Sequence, residues 1–580
     1  MKIPEKPENV QWTDDQWQAI HAAGSDILVA AAAGSGKTAV LVSRIIRKLI
    51  NEKEPLNVDE LLVVTFTNAA AAEMRHRIGE ALEEEIRKNP SSRHLRRQLN
   101  LLNHAQISTL HSFCLDVVRK YYYLTDLDPG FRIAEETEMD LLFDEAADQL
   151  LEEEYGKTDN TDFFRVVDLF TGDRSDDLLR ELILKLYEFS RANPDPEGWL
   201  ERIPEAYEAE GKTIEELPYT RFLLDYLAFR LQEAKRMFEE GLELCKRPDG
   251  PYWRADNFID DIRLTNNLLD GARRSYKALY EEMQKLNFKP LAPARGVTCA
   301  PELDKETKSL REAGKKLVQG MKEEYFSVRP ETYLKDLQEL KGPVETLIHL
   351  VRNFSRKVIE IKKEKGIVDF SDLEHYALQI LGKWDPESHQ FLPTDVAHSY
   401  RRRFKEILID EYQDTNMVQE TILRLVKRGE ETDGNLFMVG DVKQSIYRFR
   451  LAEPHLFLQK YRHFSKDGKT GLRIDLAKNF RSRKEILDGT NFLFRQIMDP
   501  VVGEIAYDGD AELKKGSNYP GDDGSYPIEF TLLYKGDRGS QEPASGTAEN
   551  PEGGMPDDFG FEDLELSQLE ARYIAGQIRK

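Results

Sequence analysis

At 580 residues the chain is too long for one hydrophobic core, and its 40% hydrophobic content is enough to fill roughly three or four domains. A formal charge of −23 excludes a global positive field, so any contact with a polyanion must rest on local clusters in a groove or channel. No apolar run approaches the ~20 residues of a membrane helix, and MKIPEKPENVQ lacks the basic-then-apolar order of a signal peptide. With Cys114, Cys245 and Cys299 far apart and no CxxC pair, these features predict a cytoplasmic protein with reduced thiols and no membrane attachment.

From residue 12 to 112 short apolar strands alternate with helical patterns: ILVA, VLVSRIIRKLI, ELLVVTFT, AAAAEMRHRIGEAL and AQISTLHSF. This βαβ grammar predicts a parallel sheet. The first strand runs into Ala31, Ala32, Ala33, Gly34, Ser35, Gly36, Lys37 and Thr38, and a helix follows. Strand, glycine turn and helix in that order make a phosphate cradle, because Gly34 and Gly36 let backbone N–H groups converge on phosphate oxygens at a helix N-terminus. Lys37 then reaches the β- and γ-phosphates, and the Thr38 hydroxyl is placed to ligate Mg²⁺. Ala31 stands where the general pattern has its first glycine. Further on, Phe113, Val117 and Tyr121 share a helical face that reads as core.

About 250 residues of different character follow. Met139, Leu142, Phe143, Ala146 and Leu150 mark one helical face, and Leu179, Leu182, Ile183 and Leu186 another. The stretch 126–364 is therefore expected to be a helical insertion into a first domain made of 1–125 and 365–470. The basic runs IKKEKG (361–366) and RRRFK (401–405) read as solvated faces.

Sheet grammar resumes near Phe404 with FKEILIDEYQD and NLFMVGDVKQSIY, and loops at the carboxyl ends of such strands hold ligands. Asp410 can hold Mg²⁺ while Glu411 polarises the attacking water, the division that hydrolysis of a γ-phosphate requires. Gln444 both donates and accepts hydrogen bonds, so it can sense a γ-phosphate. In NFRS, Arg481 offers a fork of donors suited to a transition-state phosphoryl group. The DVK triplet at Asp441 matches the acid-x-Lys part of a nuclease site only formally, since it lies inside this loop. From 471 to 580 a further, partial α/β domain is expected, interrupted near 536–563 by a Gly-, Pro-, Ser- and acid-rich disordered loop.

Taken together these phrases carry a family resemblance. TDDQWQAI, AAAGSGKT, TFTNAAAAEMRHRI, STLHSF, IDEYQDTN, GDVKQSIYRFR and NFRS resemble the Q motif and motifs I, Ia, Ib, II, III and IV of superfamily 1A helicases of the UvrD, PcrA and RecB type. VDFSDL also resembles a family signature that precedes motif II. WTDDQWQAIHAAGSDILVAAAAGSGKTAVLV, QSIYRFRLAEP and ILKLYEFSRANPDPEGWL are most similar to the AddA branch of that family. The resemblance implies an α/β fold: a RecA-like P-loop motor domain (1A) with a parallel sheet, a large helical insertion (1B) and the start of a second RecA-like domain (2A). It implies ATP and Mg²⁺ as cofactors and 3′–5′ helicase activity on single-stranded and duplex DNA ends. It also implies a heterodimer partner, an AddB-type nuclease subunit, in double-strand break processing for homologous recombination. Motifs V and VI and a nuclease domain are expected beyond Lys580.

Carried over residue by residue, the resemblance makes Gln16 the reader of the adenine edge and Phe480 the ring stacked on it, with Arg450 linking nucleotide to DNA. For single-stranded DNA it implies Phe66, Tyr447 and Phe449 as stacking rings, worth about 1–3 kcal/mol per base without regard to sequence. Thr65, Asn68, Thr109 and His111 would bond phosphates or bases and position the strand. Where UvrD-like members often carry WRGA this chain has FRLA (449–452), so Leu451 replaces a glycine. Two rival readings are a solo UvrD-like repair helicase without nuclease and a DNA-binding scaffold with a decayed motor. The AddA-like phrases and the long insertion disfavour the first, and intact Lys37, Asp410, Glu411 and Arg481 disfavour the second.

Overall fold

The computed structural model describes residues 3–51, 55–172, 175–294, 296–519, 526–533 and 566–579. The loop expected near 536–563 lies outside them. Six strands form the central sheet: β1 (Ile27–Ala31), β2 (Leu61–Thr65), β3 (Gln106–Thr109), β4 (Glu406–Ile409), β5 (Leu436–Gly440) and β6 (Leu472–Leu476). Their spatial order is β6-β1-β5-β4-β2-β3, and every pairing is parallel. In register, Val29 lies between Val439 and Ile474.

Period-two alternation fills both faces. Leu28, Leu62, Val64, Ile407, Ile409 and Met438 pack under helices Leu110–Tyr121, Phe370–Leu381 and Met417–Val426. Val29, Val63, Leu408, Phe437 and Ile474 pack under Lys37–Leu49 and Asn68–Lys88. Helices on both faces explain why the inner strands β1, β2, β4 and β5 are nearly all-apolar, whereas the edge strands β3 (QIST) and β6 (LRIDL) alternate polar and apolar residues. Phe113 and Val117 are in the first of these cores and Tyr121 packs against it. Parallel pairing also puts the loops after β1, β2, β3, β4 and β5 at one edge of the sheet, where the candidate site residues lie.

β6 falls inside the 471–580 segment that sequence reading assigned to a second domain. Its pairing with β1 extends the first sheet past that boundary. Strand order is a long-range property, and the alternating segment LRIDL at 472–476 carries no mark of which sheet it joins. Beyond it, Lys478–Asn479 pairs with Lys514–Lys515, and helix Lys484–Ile497 buries only Leu487 and Asn491.

The insertion is helical, as the periodicity predicts, but it has two cores. One packs helices Glu136–Gly156, Thr161–Phe170 and Asp177–Arg191 against the later half of the long helix Pro330–Lys365. The other packs Thr220–Lys246, Ala255–Arg274, Tyr276–Gln284 and Pro301–Tyr325. Gly314 allows the close approach there, since a Cβ would sit 2.6 Å from the buried Phe238 ring. Arg311 and Asp261, both almost wholly enclosed, pair at 2.6 Å. At the base of the insertion Arg132–Ile133 pairs in parallel with Ile367–Val368. Cys114 and Cys245 are buried, Cys299 is half-buried, and all three are free. Among the described residues no helix is long and apolar enough to cross a membrane.

Candidate nucleotide site and nucleic-acid groove

After β1 the chain curls through Gly34 (φ 68°) and Gly36 (φ 84°), and helix Lys37–Leu49 begins at once. Both glycines occupy the left-handed region that a Cβ disfavours. Space is short as well: a Cβ on Gly34 would lie 2.7 Å from Asn479 Nδ2, where something must shift, and one on Gly36 would press Gln16 Nε2 at 3.2 Å. Side chains from elsewhere hold the loop closed. Gln16 Nε2 donates to the Ser35 carbonyl at 3.0 Å, and Asn479 Nδ2 donates to that of Ala33 at 2.7 Å. The Phe480 and Ala32 N–H groups donate to the carbonyls of Gly34 (2.9 Å) and Leu476 (3.1 Å). Gln16 Oε1 in turn accepts from the Thr13 N–H in a capping box. The residue expected to read adenine therefore has both ends of its amide engaged by protein.

Asn479 was not singled out in the sequence, although it opens the NFRS phrase. Its Oδ1 accepts the N–H groups of Arg481 (2.9 Å) and Ser482 (2.7 Å), which hangs this turn on the phosphate loop. The Cβ of Arg481 lies 3.0 Å from the position a Gly34 Cβ would take. Arg481 is exposed, and Phe480 is 39% exposed beside Gly516.

The acidic loop after β4 meets the cradle directly. Lys37 Nζ lies 2.9 Å from Glu411 Oε2. Glu411 adopts φ 52°, ψ 48°, a left-handed conformation that costs a non-glycine residue about 1–3 kcal/mol. Gln413, also missed in the sequence, ties the loops together. It donates to Glu411 Oε2 (2.9 Å) and Asp414 Oδ2 (3.1 Å) and accepts the Asp441 N–H (3.0 Å). Asp441 Oδ2 then accepts from Gln444 Nε2 at 2.8 Å, and Lys443 Nζ lies 2.8 Å from Asp441 Oδ1. The structure thus runs one polar chain from Lys37 through Glu411, Gln413 and Asp441 to Gln444.

Desolvation and then the neighbouring Glu411 charge push Asp410 up to about 6, against the pull of Lys37. The same two causes push Asp414 up to about 6. Three acids share one lysine, and Asp414 Oδ1 and Ser35 Oγ are buried without a partner. Such a donor set suits a cation and its anionic ligand. Among the described residues no group of three or more His, Cys, Asp or Glu could hold a metal ion alone. Mg²⁺ held by Thr38, in the first turn of its helix, and Asp410 would thus depend on oxygens from nucleotide and water, as is usual for this ion.

The acids open into a groove of about 980 Å³ between the sheet and the insertion. Thr65, Phe66, Thr109, His111, Tyr447 and Phe449 line it, and so do Asp410, Glu411 and Asp414. The Phe66 and Tyr447 rings are 4.4 Å apart, and Tyr447 and Phe449 5.9 Å. Phe449 is 76% exposed. The Arg450 guanidinium lies 5.2 Å from the Tyr447 ring and 5.6 Å from that of Phe449, which puts it with the groove wall. Leu451 holds φ 59°, the left-handed conformation that a glycine would take without strain. Thr65 and Thr109 spend part of their bonding locally: Thr65 Oγ1 donates to the Thr67 carbonyl, and Thr109 caps its helix through the Ser112 N–H. Asn68, the exposed first residue of Asn68–Lys88, is outside the groove lining.

His111 Nε2 pairs with Glu374 Oε1 at 3.1 Å. Glu374 also accepts from Gln419 Nε2 (2.7 Å) and Asn416 Nδ2 (3.3 Å), partners that no local pattern reveals. The basic runs are less solvated than expected. Lys362 is buried and bridges Asp369 and Asp372, each at 2.7 Å, while Arg401 and Arg403 donate to the Leu425 and Asp59 carbonyls.

Known proteins resemble this chain in sequence. The chain is 53% identical over 577 residues to a protein of Geobacillus thermodenitrificans (strain NG80-2) named as the A-subunit of an ATP-dependent helicase/nuclease. It is 51% identical over 578 residues to the proteins of the same name from Bacillus cytotoxicus and Bacillus anthracis. In each case 99% of the chain aligns with 45% of the relative, so it spans about half the length of the curated relatives it matches. The family model for the UvrD/REP helicase N-terminal domain matches residues 12–465, from the Gln16 helix through the phosphate cradle, acidic loop and groove. By that match, and on a parallel-sheet scaffold that suits it, the chain belongs to the UvrD/REP helicase N-terminal domain family.

Proposed function

We propose that this chain is the motor portion of an ATP-dependent DNA helicase that travels 3′ to 5′ on single strands. It acts in a helicase–nuclease that processes double-strand DNA ends for homologous recombination in the cytoplasm, partnered by an AddB-type nuclease subunit. The name carried by the relatives, which makes each of them one component of a helicase/nuclease, supports the assignment to that assembly. The polarity and the AddB-type partner rest on the motif resemblance alone. One observation carries the motor reading: the acidic loop touches Lys37 at one end and lines the same groove as Phe66, Tyr447 and Phe449 at the other.

When bound, ATP with Mg²⁺ supplies a γ-phosphoryl group whose transfer to water is strongly downhill. The chain's own residues prepare that transfer. Cradle N–H groups and Lys37 take the phosphates, and the lysine's turn toward them frees Glu411 Oε2 to orient water and accept its proton. Thr38 and Asp410 would hold the cation. Arg481, on the turn fixed to Gly34 by Asn479, is the donor for charge developing on the phosphoryl oxygens. Gln444, bonded to Asp441 and through it to Gln413, carries the state of the site into the segment bearing Tyr447 and Phe449. Replacing Lys37 by alanine should lower single-strand-stimulated ATP hydrolysis by about 10²–10³-fold while the protein still binds single-stranded DNA. Undiminished hydrolysis by the variant would remove Lys37 from the site.

A further inference from the structure

The groove poses an electrostatic problem for a polyanionic strand. Its floor carries Asp410, Glu411 and Asp414, and the insertion side adds Glu181 and Glu188. Two of its arginines are already neutralised: Arg448 pairs with Glu504 at 2.6 Å and Arg191 with Asp372 at 3.0 Å. Lys185 stands on the insertion wall and Arg450 over the aromatic rings. On the sheet side the remaining nitrogen base is His111, at the start of helix Leu110–Tyr121 and edge-on to the exposed Phe370 ring at 5.1 Å.

Glu374 fixes how that imidazole presents itself. It is 3% exposed on helix Phe370–Leu381, and its carboxylate is held by donors from Gln419 and Asn416. Nε2 of His111 faces this carboxylate, so Nδ1 is the nitrogen left for a ligand. A neutral imidazole tied this way presents a lone pair at Nδ1, which repels a phosphate oxygen, whereas the doubly protonated ring presents an N–H donor.

We propose that Glu374 is a positioning residue that locks His111 through Nε2 and so turns its Nδ1–H toward the phosphodiester oxygens of a single strand in the groove. The electrostatics agree. Burial lowers the affinity of His111 for its proton, but the Glu374 hydrogen bond and charge, with Asp369 behind them, outweigh it and raise its pKa. Glu374 is held below its ordinary range, since His111, Gln419 and Asn416 outweigh its burial. The inference rests on the groove being the single-strand site.

The test is equilibrium binding of a fluorescein-labelled oligothymidylate without nucleotide, measured by anisotropy at fixed salt from about pH 5.5 to 9. In the unaltered protein affinity should fall about ten-fold as His111 loses its proton. Asp410 and Asp414, both near 6, titrate in part of this range. The His111→Gln profile therefore contains the contributions of these acids and of Glu188, whose pKa burial and Asp140 also raise, and should lack the higher step. Glu374→Gln, which keeps shape and removes charge, should move that step to lower pH while the thermal melt confirms folding. Retention of the higher step in His111→Gln, or a Glu374→Gln profile that superimposes on the unaltered one, would overturn the proposal. If Glu374→Gln does not fold, the His111→Gln profile still decides it. Absence of binding by the unaltered protein at every pH would instead refute the groove assignment.

Discussion

The sheet domain and the helical insertion solve burial differently. In the insertion, stability comes from apolar helix faces and close approaches such as Gly314 on Phe238, with Arg311 and Asp261 paired to each other in the interior. In the sheet domain, charged side chains reach between elements remote in sequence, as Arg44 does to Glu406 at 3.0 Å, and several groups near the groove are in unfavourable states. Glu411 and Leu451 have left-handed backbones, whereas among the described residues of 126–364 Asp159 is the one non-glycine residue that does. The sheet domain thus keeps left-handed non-glycine backbone at Glu411 and Leu451 beside the proposed ligand groove, whereas the insertion is held by apolar helix packing.

That contrast can be broken by substitution. Arg44 is 1% exposed, pairs with Glu406 and lies 4.1 Å from the Phe437 ring centre. Arg44→Ala leaves a buried carboxylate with Lys48 alone and should cost about 3–5 kcal/mol in chemical denaturation. A smaller loss would mean that Lys48 suffices. Asp410→Asn should do the reverse and stabilise while abolishing hydrolysis. The folded pKa of about 6 lies above the ordinary 3.8, so the folded state prefers the proton, and the cost of ionising Asp410 grows as pH rises past about 4 and is fully present above about pH 6. The variant should gain about 2 kcal/mol at pH 8, with the gain vanishing near pH 4. A gain that does not shrink on acidification would assign the stabilisation to something other than charge. Gly314→Ala should lose about 1–3 kcal/mol through the clash with Phe238, yet leave hydrolysis without DNA unchanged. If hydrolysis falls with it, packing in the insertion is coupled to the proposed nucleotide site.

Sequence legibility followed the same divide. The cradle and the acidic pair were readable because phosphate chemistry demands fixed residue types at fixed spacing. The supports were not. Glu374 meets His111 and Gln419, Gln413 meets Asp441, and Asn479 meets Ala33, and none of these pairs has a local period. Lys362 looked solvated because it sits in a charge run, and only the folded chain brings Asp369 and Asp372 around it. β6 reads as part of a second domain in sequence because pairing with a strand more than 400 residues earlier leaves no trace in the five alternating residues LRIDL. In the insertion, helical periodicity showed the helices but not their division into two cores, which depends on where helix Pro330–Lys365 passes from one cluster to the other.

In the proposed motor the acidic loop joins a hydrolytic site to a strand-binding groove. The most direct measurement is the ratio of ATP hydrolysis with and without saturating oligothymidylate, in the unaltered protein and in Tyr447→Ala. Single strands should accelerate hydrolysis in the unaltered protein, and Tyr447→Ala should lose most of that acceleration while keeping its unstimulated rate. Hydrolysis indifferent to the strand in the unaltered protein, or full acceleration in the variant, would uncouple the acidic loop from the groove.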